Sequence, residues 1–270
     1  MIDDRMDTGY CMDTGGAAVV VESLEKSYGS GASRTPVLKG VDLVVRRGEC
    51  VYLAGPSGSG KTTLLSIIGC ILSADRGRVR ILDEEVFSLT AKERTALRLN
   101  RLGFVFQRFH LIRGLTTLDN VCVPLTLQGI GATVARRRAM SLLDAVGLAD
   151  KADAHPRNLS AGQCQRVALA RAMVADPELI LADEPTASLD AANGQDVMEL
   201  FRRLTTEEGK TVVLVTHDQR IFRFADRVFW LENGCVVEND NEAQSETPGA
   251  GKTDSEKQLC VASCDQSNGE

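Results

Sequence analysis

The run Gly55-Pro56-Ser57-Gly58-Ser59-Gly60-Lys61-Thr62 has the residue types and spacing to hold phosphate. It follows a short apolar run and opens a helical pattern, the context in which such a loop works. Its glycines let successive backbone N–H groups curl around phosphate oxygens, and the helix start adds partial positive charge. Lys61 is placed to reach β- and γ-phosphates, and the Thr62 hydroxyl to bind Mg²⁺. Farther on, Leu179-Ile180-Leu181-Ala182-Asp183-Glu184 supplies acids. Asp183 ends an apolar strand and brings a carboxylate to the metal beside the phosphates. Glu184 can polarise an attacking water as general base. His217, in Thr216-His217-Asp218, follows another strand on the edge where α/β sites assemble, so we expect it to contact the γ-phosphate. Gln107 ends a further strand. Its neutral amide can touch both metal and water and sense the γ-phosphate without adding charge. Tyr28 offers a face on which adenine can stack, or else is a core aromatic of its strand. His110 and His155 receive no such role.

These groups need a frame. Residues 17–24 and 41–45 are valine-rich and read as strands, with a turn at 29–33 between them. Residues 50–54 read as a buried strand, 61–72 as a helix, and 79–82 and 103–107 as strands. From 118 to 173 the pattern is helical, with breaks expected at Pro124, Gly129-Ile130-Gly131, Gly147 and Pro156. Three more strand-like runs follow at 179–183, 211–216 and 227–231. Strands alternating with helical spacing imply an α/β fold with a mostly parallel sheet covered on both faces. The helical insert would form a second lobe. Residues 1–16, in which Met-Asp-Thr-Gly occurs twice, read as a disordered leader. From Asn239 onward seven acids face two lysines, and this reads as a disordered, solvated acidic tail.

The 270 residues suffice for a sizeable core. A net charge of −6 leaves no basic surplus to neutralise nucleic-acid phosphates. The run Arg136-Arg137-Arg138 reads as a solvated helix face. No apolar run reaches the ~18 residues that span a bilayer. The first residues carry acids where a signal peptide needs basic and apolar ones, so a cytoplasmic location is expected. Of the eight cysteines, Cys50, Cys70, Cys122, Cys164 and Cys235 are scattered singly and read as small hydrophobes in a reducing compartment. Cys260 and Cys264 lack a second ligand pair for zinc.

One more run decides among nucleotide-binding families. Leu159-Ser160-Ala161-Gly162-Gln163 lies between the phosphate loop and the Asp183-Glu184 strand. Taken in that order, the motifs resemble those of the ATP-binding-cassette (ABC) ATPases over about residues 17–238. The resemblance implies a P-loop NTPase cassette. Its core would be a RecA-like parallel sheet, with an N-terminal antiparallel β subdomain and a helical subdomain inserted at about 108–175. It makes residues 55–62, with Thr63, the Walker A loop and Tyr28 the adenine-stacking residue. Gln107 becomes the Q-loop glutamine, residues 159–163 the signature, and residues 179–184 Walker B. Ser188, Leu189 and Asp190 become the D-loop, and His217 the switch histidine. The metal would be Mg²⁺, held at Thr62, Gln107 and Asp183. Ala161 stands where the signature usually has glycine; it adds only a methyl and keeps its N–H.

In such families the signature acts on ATP held by a second subunit. Here it opens a predicted helix at 163–175, so that helix start and the Ser160 hydroxyl can meet a γ-phosphate. Two chains packed head to tail, in a homodimer, would place each signature over the other's ATP, giving two composite sites. The stroke would pass to an integral-membrane permease through the groove near Gln107, where Phe109, Leu111 and Ile112 are apolar. The chain would then sit peripherally on the cytoplasmic face of the inner membrane. The runs at 55–65, 106–112, 115–121 and 215–218 are similar to one subgroup, the lipoprotein-release, macrolide-export and glycolipid-export ATPases (LolD/MacB/DevA-like). That subgroup implies a permease with a large extracytoplasmic domain and a role in export or in lipid or lipoprotein extraction. The alternative is a non-transport cassette ATPase acting on nucleic acid or the ribosome. Those usually carry long insertions or two fused cassettes, and this chain shows neither sustained heptads nor a second phosphate loop.

Overall fold

The computed structural model describes residues 16–239. The leader up to residue 15, the acidic tail and the pair Cys260 and Cys264 lie outside the described residues. The chain opens with β1 (Ala17–Tyr28), β2 (Thr35–Arg46) and β3 (Cys50–Ala54), then α1 (Lys61–Ile68). Next come β4 (Arg76–Ile81), β5 (Glu84–Glu85), α2 (Ala91–Arg101) and β6 (Leu102–Val105). Three helices follow: α3 (Thr117–Leu127), α4 (Ala132–Ala145) and α5 (Ala161–Met173). The chain returns through β7 (Leu179–Asp183), α6 (Ala191–Thr206), β8 (Thr211–Val215), β9 (Arg227–Glu232) and β10 (Cys235–Asn239).

Two sheets result. One is antiparallel, in the order β2-β1-β4-β5. The other runs β10-β9-β3-β8-β7-β6, parallel from β9 to β6, with β10 antiparallel at its edge. The parallel strands are apolar without a break because both faces are covered. In β3, Val51 and Leu53 face the antiparallel sheet and α1, while Cys50, Tyr52 and Ala54 face α5 and α6. β7 and β8 alternate in the same way. A third core, including Leu118, Val121, Leu125, Ala139, Leu143 and Val167, binds α3, α4 and α5 into a helical lobe. The expected α/β architecture, with its antiparallel sheet, parallel core and helices, is the one observed.

Several boundaries differ from the sequence reading. Pro124 lies inside α3, which continues to Leu127, so it is no break there. α1 ends at Ile68, because Gly69 is its C-cap and Cys70 takes a positive φ of 56°. α2, β5 and β10 carry no strong apolar period and were not expected. α2 is capped by a reciprocal Thr90–Glu93 pair, a signal that could have located its start. Cys50, Cys70, Cys122 and Cys164 are buried as expected, whereas Cys235 is partly exposed.

Candidate active site

The parallel strands β3, β6, β7 and β8 end on one edge, and each hands its next residues to one cleft of about 660 Å³. β3 leads into the phosphate loop. Gly55 has a φ of 139°, and a Cβ there would lie 2.1 Å from the Leu231 carbonyl oxygen, so no other residue fits without moving the loop. Gly60, with a φ of 105°, caps α1 and lies against Val37 and Leu38. Pro56, Ser57, Gly58, Thr62 and Thr63 also line the cleft. Ser59 is buried beneath it, and its hydroxyl has no hydrogen-bond partner among the described residues. Lys61 is buried, and its ammonium donates to the carbonyls of Gly55 and Pro56, both at 2.8 Å. Burial pulls it below the usual lysine pKa, and Glu184 and Asp183 push back.

The acids come from the end of β7. The Thr62 hydroxyl donates to Asp183 Oδ1 at 3.1 Å, bringing two oxygen ligands of the kind a hard divalent cation takes to one point. Burial raises the Asp183 carboxyl above the usual aspartate range, opposed by that hydrogen bond. Among the described residues no group of three or more His, Cys, Asp or Glu could hold a metal. A cation at Thr62 and Asp183 would therefore complete its shell with phosphate oxygens and water. Glu184 holds a left-handed φ of 48°, a conformation costing a non-glycine residue on the order of 1–3 kcal/mol. Its N–H donates to the Val215 carbonyl at 2.9 Å, which fixes the turn. Its Oε1 lies 2.8 Å from Nδ1 of His217, the residue two beyond the end of β8. The carboxylate is sheltered (15% exposed) and the imidazole open (67%), so the ring can meet a ligand while touching the acid.

Gln107, two residues past β6, lines the same cleft. Tyr28 ends β1 at the far side, 45% exposed, with its hydroxyl 3.4 Å from Thr63 Oγ1. It is an open aromatic face and not a core residue. Val37 on β2 also lines the cleft. The sequence reading missed it because β2 begins well before the valine-rich run at 41–45. Leu159, Ser160, Ala161, Gly162 and Gln163 contribute nothing to the lining of this cleft. Ser160 caps α5 and exchanges hydrogen bonds with Gln163, leaving Ser160 and Ala161 exposed at a helix start. Gly162 is buried, and a Cβ there would lie 2.7 Å from Asn193 Oδ1. Asn193 in turn bonds Asp190, the N-cap of α6, next to exposed Ser188 and half-buried Leu189. The two exposed segments are thus neighbours, and neither lines the cleft around the chain's own phosphate loop.

The family model described as "ABC transporter" matches residues 38–187. The macrolide export ATP-binding/permease protein MacB of Bartonella henselae is 41% identical over 240 residues, covering 89% of this chain and 36% of that protein. MacB of Neisseria gonorrhoeae is 42% identical over 229 residues, covering 85% of this chain and 35% of that protein. The chain thus spans about a third of the length of the curated relatives it matches. Among solved structures, the ATP-binding cassette MJ0796, described as a dimer in a post-hydrolysis state with ADP and Pi, aligns with a TM-score of 0.77. It is 42% identical, and the match covers 82% of this chain and 98% of that one.

Proposed function

The chain belongs to the ABC transporter family, and from that premise we propose that it is the ATP-hydrolysing subunit of a membrane transporter, working as a dimer. The observation that carries this is the division of parts. Lys61, Gln107, Asp183, Glu184 and His217 converge on one cleft, while Ser160 sits at an exposed helix start outside it. A site split in this way is complete only when a second chain presents its signature.

In this reading Tyr28 stacks on adenine, and the backbone N–H groups of residues 57–63 wrap the phosphates. Lys61 counters the β- and γ-phosphate charge. Mg²⁺, held by Thr62 and Asp183 with Gln107 alongside, would neutralise the phosphate oxygens further. Glu184 takes the proton of the attacking water, and His217 orients Glu184 and meets the γ-phosphate. Ser160 and the N-terminus of α5 close over the partner's ATP, and Ser188, Leu189 and Asp190 line the seam. ATP holds the dimer together and hydrolysis releases it.

The likeness to macrolide-export MacB proteins favours export through a permease, and the subgroup resemblance of the motifs adds lipid or lipoprotein extraction and a permease with an extracytoplasmic domain. Among the described residues no helix is long and apolar enough to cross a membrane, so contact with the bilayer runs through that partner, on its cytoplasmic face. The test is Glu184→Gln protein with saturating ATP and Mg²⁺, followed by light scattering. A dimer that reverts to monomer when ATP is withdrawn is expected; a monomer throughout, with or without the co-purified permease, refutes the composite site. Capture of ribosomes or nucleic acid by that variant, with no polytopic membrane protein, would move the assignment to a non-transport cassette.

A further inference from the structure

The segment after Gln107 is an unusual hook. Phe109 and His110 both hold left-handed backbone, with φ of 58° and 47°. Two such residues in succession persist only where the surroundings compel them. Phe109 N–H closes on the Phe106 carbonyl at 3.0 Å, and the His110 ring leans on Phe106 with centroids 4.9 Å apart. The effect is to turn the carbonyls of Phe109 and His110 the same way, and one side chain receives both. Arg171, on α5, donates Nη2 to Phe109 O and Nη1 to His110 O, each at 2.7 Å. A fork of this kind fixes direction as well as distance.

The hook's other end is also tied to the helical lobe. Asn120 of α3 is fully buried, accepts from Ile112 N–H at 2.7 Å, and donates to the carbonyls of Ile112, Leu115 and Thr116. Gln107, two residues past β6, is therefore the last residue of the cleft before the chain is held by the lobe. Arg171 holds the hook from the very helix that begins at the signature, with Ser160 as its N-cap. The eleven residues from Ala161 to Arg171 are continuous α-helix, a rigid rod of about 15 Å.

We propose that Arg171 is a positioning residue that joins Gln107 to the signature, so that a displacement of Gln107 by nucleotide swings α5 and Ser160 as one body. The proposal rests on the cleft and signature roles given above. Its physical content is that two sites on different lobes share one stiff element, gripped at its far end by two charge-assisted hydrogen bonds. Asn120 anchors the hook to the lobe; Arg171 alone among these contacts reaches it from the signature helix.

The test uses the full chain carrying Glu184→Gln, dilute enough to remain monomeric, with amide hydrogen exchange followed at residues 107–112 and 160–166 with and without ATP and Mg²⁺. The expected result is an ATP-dependent change at both segments in the parent. In Arg171→Ala the change at 160–166 is lost, while ATP affinity stays within about twofold, because the phosphate loop is untouched. Arg171→Lys, one ammonium in place of the fork, retains part of the response. Adding Gln107→Ala to Arg171→Ala has no further effect, since both cut the same link. A merely structural role predicts faster exchange across α5 with and without ATP and an unchanged ATP-dependent difference. Survival of the 160–166 response in Arg171→Ala, its absence from the parent, or independent losses for Gln107→Ala and Arg171→Ala overturns the proposal. Light scattering at higher concentration separately reads dimerisation, so a monomer that shows the exchange result refutes the composite site and leaves the strut standing.

Discussion

Gly103→Ala tests how closely the signature helix is seated on the strand that feeds Gln107. Gly103 lies in β6, and a Cβ built there would be 2.7 Å from the Ala172 carbonyl oxygen, 3.1 Å from Pro177 Cγ and 3.3 Å from the Ala172 carbonyl carbon. Two of these are backbone of α5 and the third is a ring, so no rotamer change can relieve the contact. β6 and α5 must part by several tenths of an ångström, in a seam that buries Val105, Leu169 and Met173. Overpacking of a dense core costs about 1–3 kcal/mol. Against it stands about 0.5–1 kcal/mol gained by removing a glycine from a strand interior. The obstructing atoms are backbone, which places the cost near the upper end, so the net loss should be about 2 kcal/mol. Gly114→Ala is the control. Gly114 is exposed, outside the left-handed region, with nothing within 4 Å of an added Cβ. That variant should gain about 0.4–1 kcal/mol by restricting the unfolded chain. Urea unfolding of both at 25 °C measures the difference directly. The same displacement misplaces Gln107 against Ser160, so hydrolysis should fall more than ATP affinity. A Gly103→Ala protein as stable as wild type, or matching Gly114→Ala, would refute the close-approach argument.

Two further outcomes follow from the site and the lobe contacts. Lys61→Met keeps the buried stem and removes the charge; loss of hydrogen bonds to a charged ligand, about 1.5–3 kcal/mol, should weaken ATP binding ~10–150-fold by calorimetry, and near-native affinity would sink the phosphate-loop assignment. Glu178 receives Arg101 at 2.6 Å and Arg47 at 2.9 Å, and its hydrogen bond from Arg101, aided by Arg47 and resisted by burial, holds its carboxyl below the usual glutamate range. A depressed carboxylate stabilises the fold above its unfolded pKa of about 4.3 and loses that contribution as pH falls through the folded value. Glu178→Gln should therefore melt below wild type at pH 7, with the gap closing as pH drops below about 4.3; a gap that persists there would assign the loss to packing.

What the sequence disclosed, and what it withheld, follows from the range of each cause. The phosphate loop, the Asp183-Glu184 strand end and His217 were legible because each is a local run in which strand, turn and ligand are adjacent in the chain. The uninterrupted apolar character of β3, β7 and β8 reported burial on both faces, and so a parallel sheet. α2 was not legible, since one buried leucine, Leu97, gives it no apolar stripe to read. Pro124 misled because a breaker matters less where its helix is already packed: α3 buries Leu118, Val121 and Leu125 and retains its turn. Val37, Asn120, Asn193 and Arg171 were invisible for a different reason. Each acts on a residue distant in sequence, as when Arg171 reaches 62 residues back to Phe109, and no local pattern records a partner at that separation.

The groups in the cleft are engaged with one another: Lys61 with the carbonyls of Gly55 and Pro56, Thr62 with Asp183, and Glu184 with His217. A triphosphate entering the cleft must exchange these contacts for its own, so its net affinity is less than the sum of the contacts it makes. In the proposed reading, Glu184 beside His217 and the amide of Gln107 meet the γ-phosphate, and both are joined to elements that would reach the dimer face. Glu184 leads through three residues, Pro185, Thr186 and Ala187, to Ser188, Leu189 and Asp190. Gln107 leads through the Phe109–His110 hook and Arg171 to Ser160. These two routes meet where Gly162 packs on Asn193, the residue that bonds Asp190. In the proposed dimer a single γ-phosphate would in this way bias both halves of the partner-facing surface at once. Closure would then be a concerted event, because the close approach of Gly162 to Asn193 ties the two halves together.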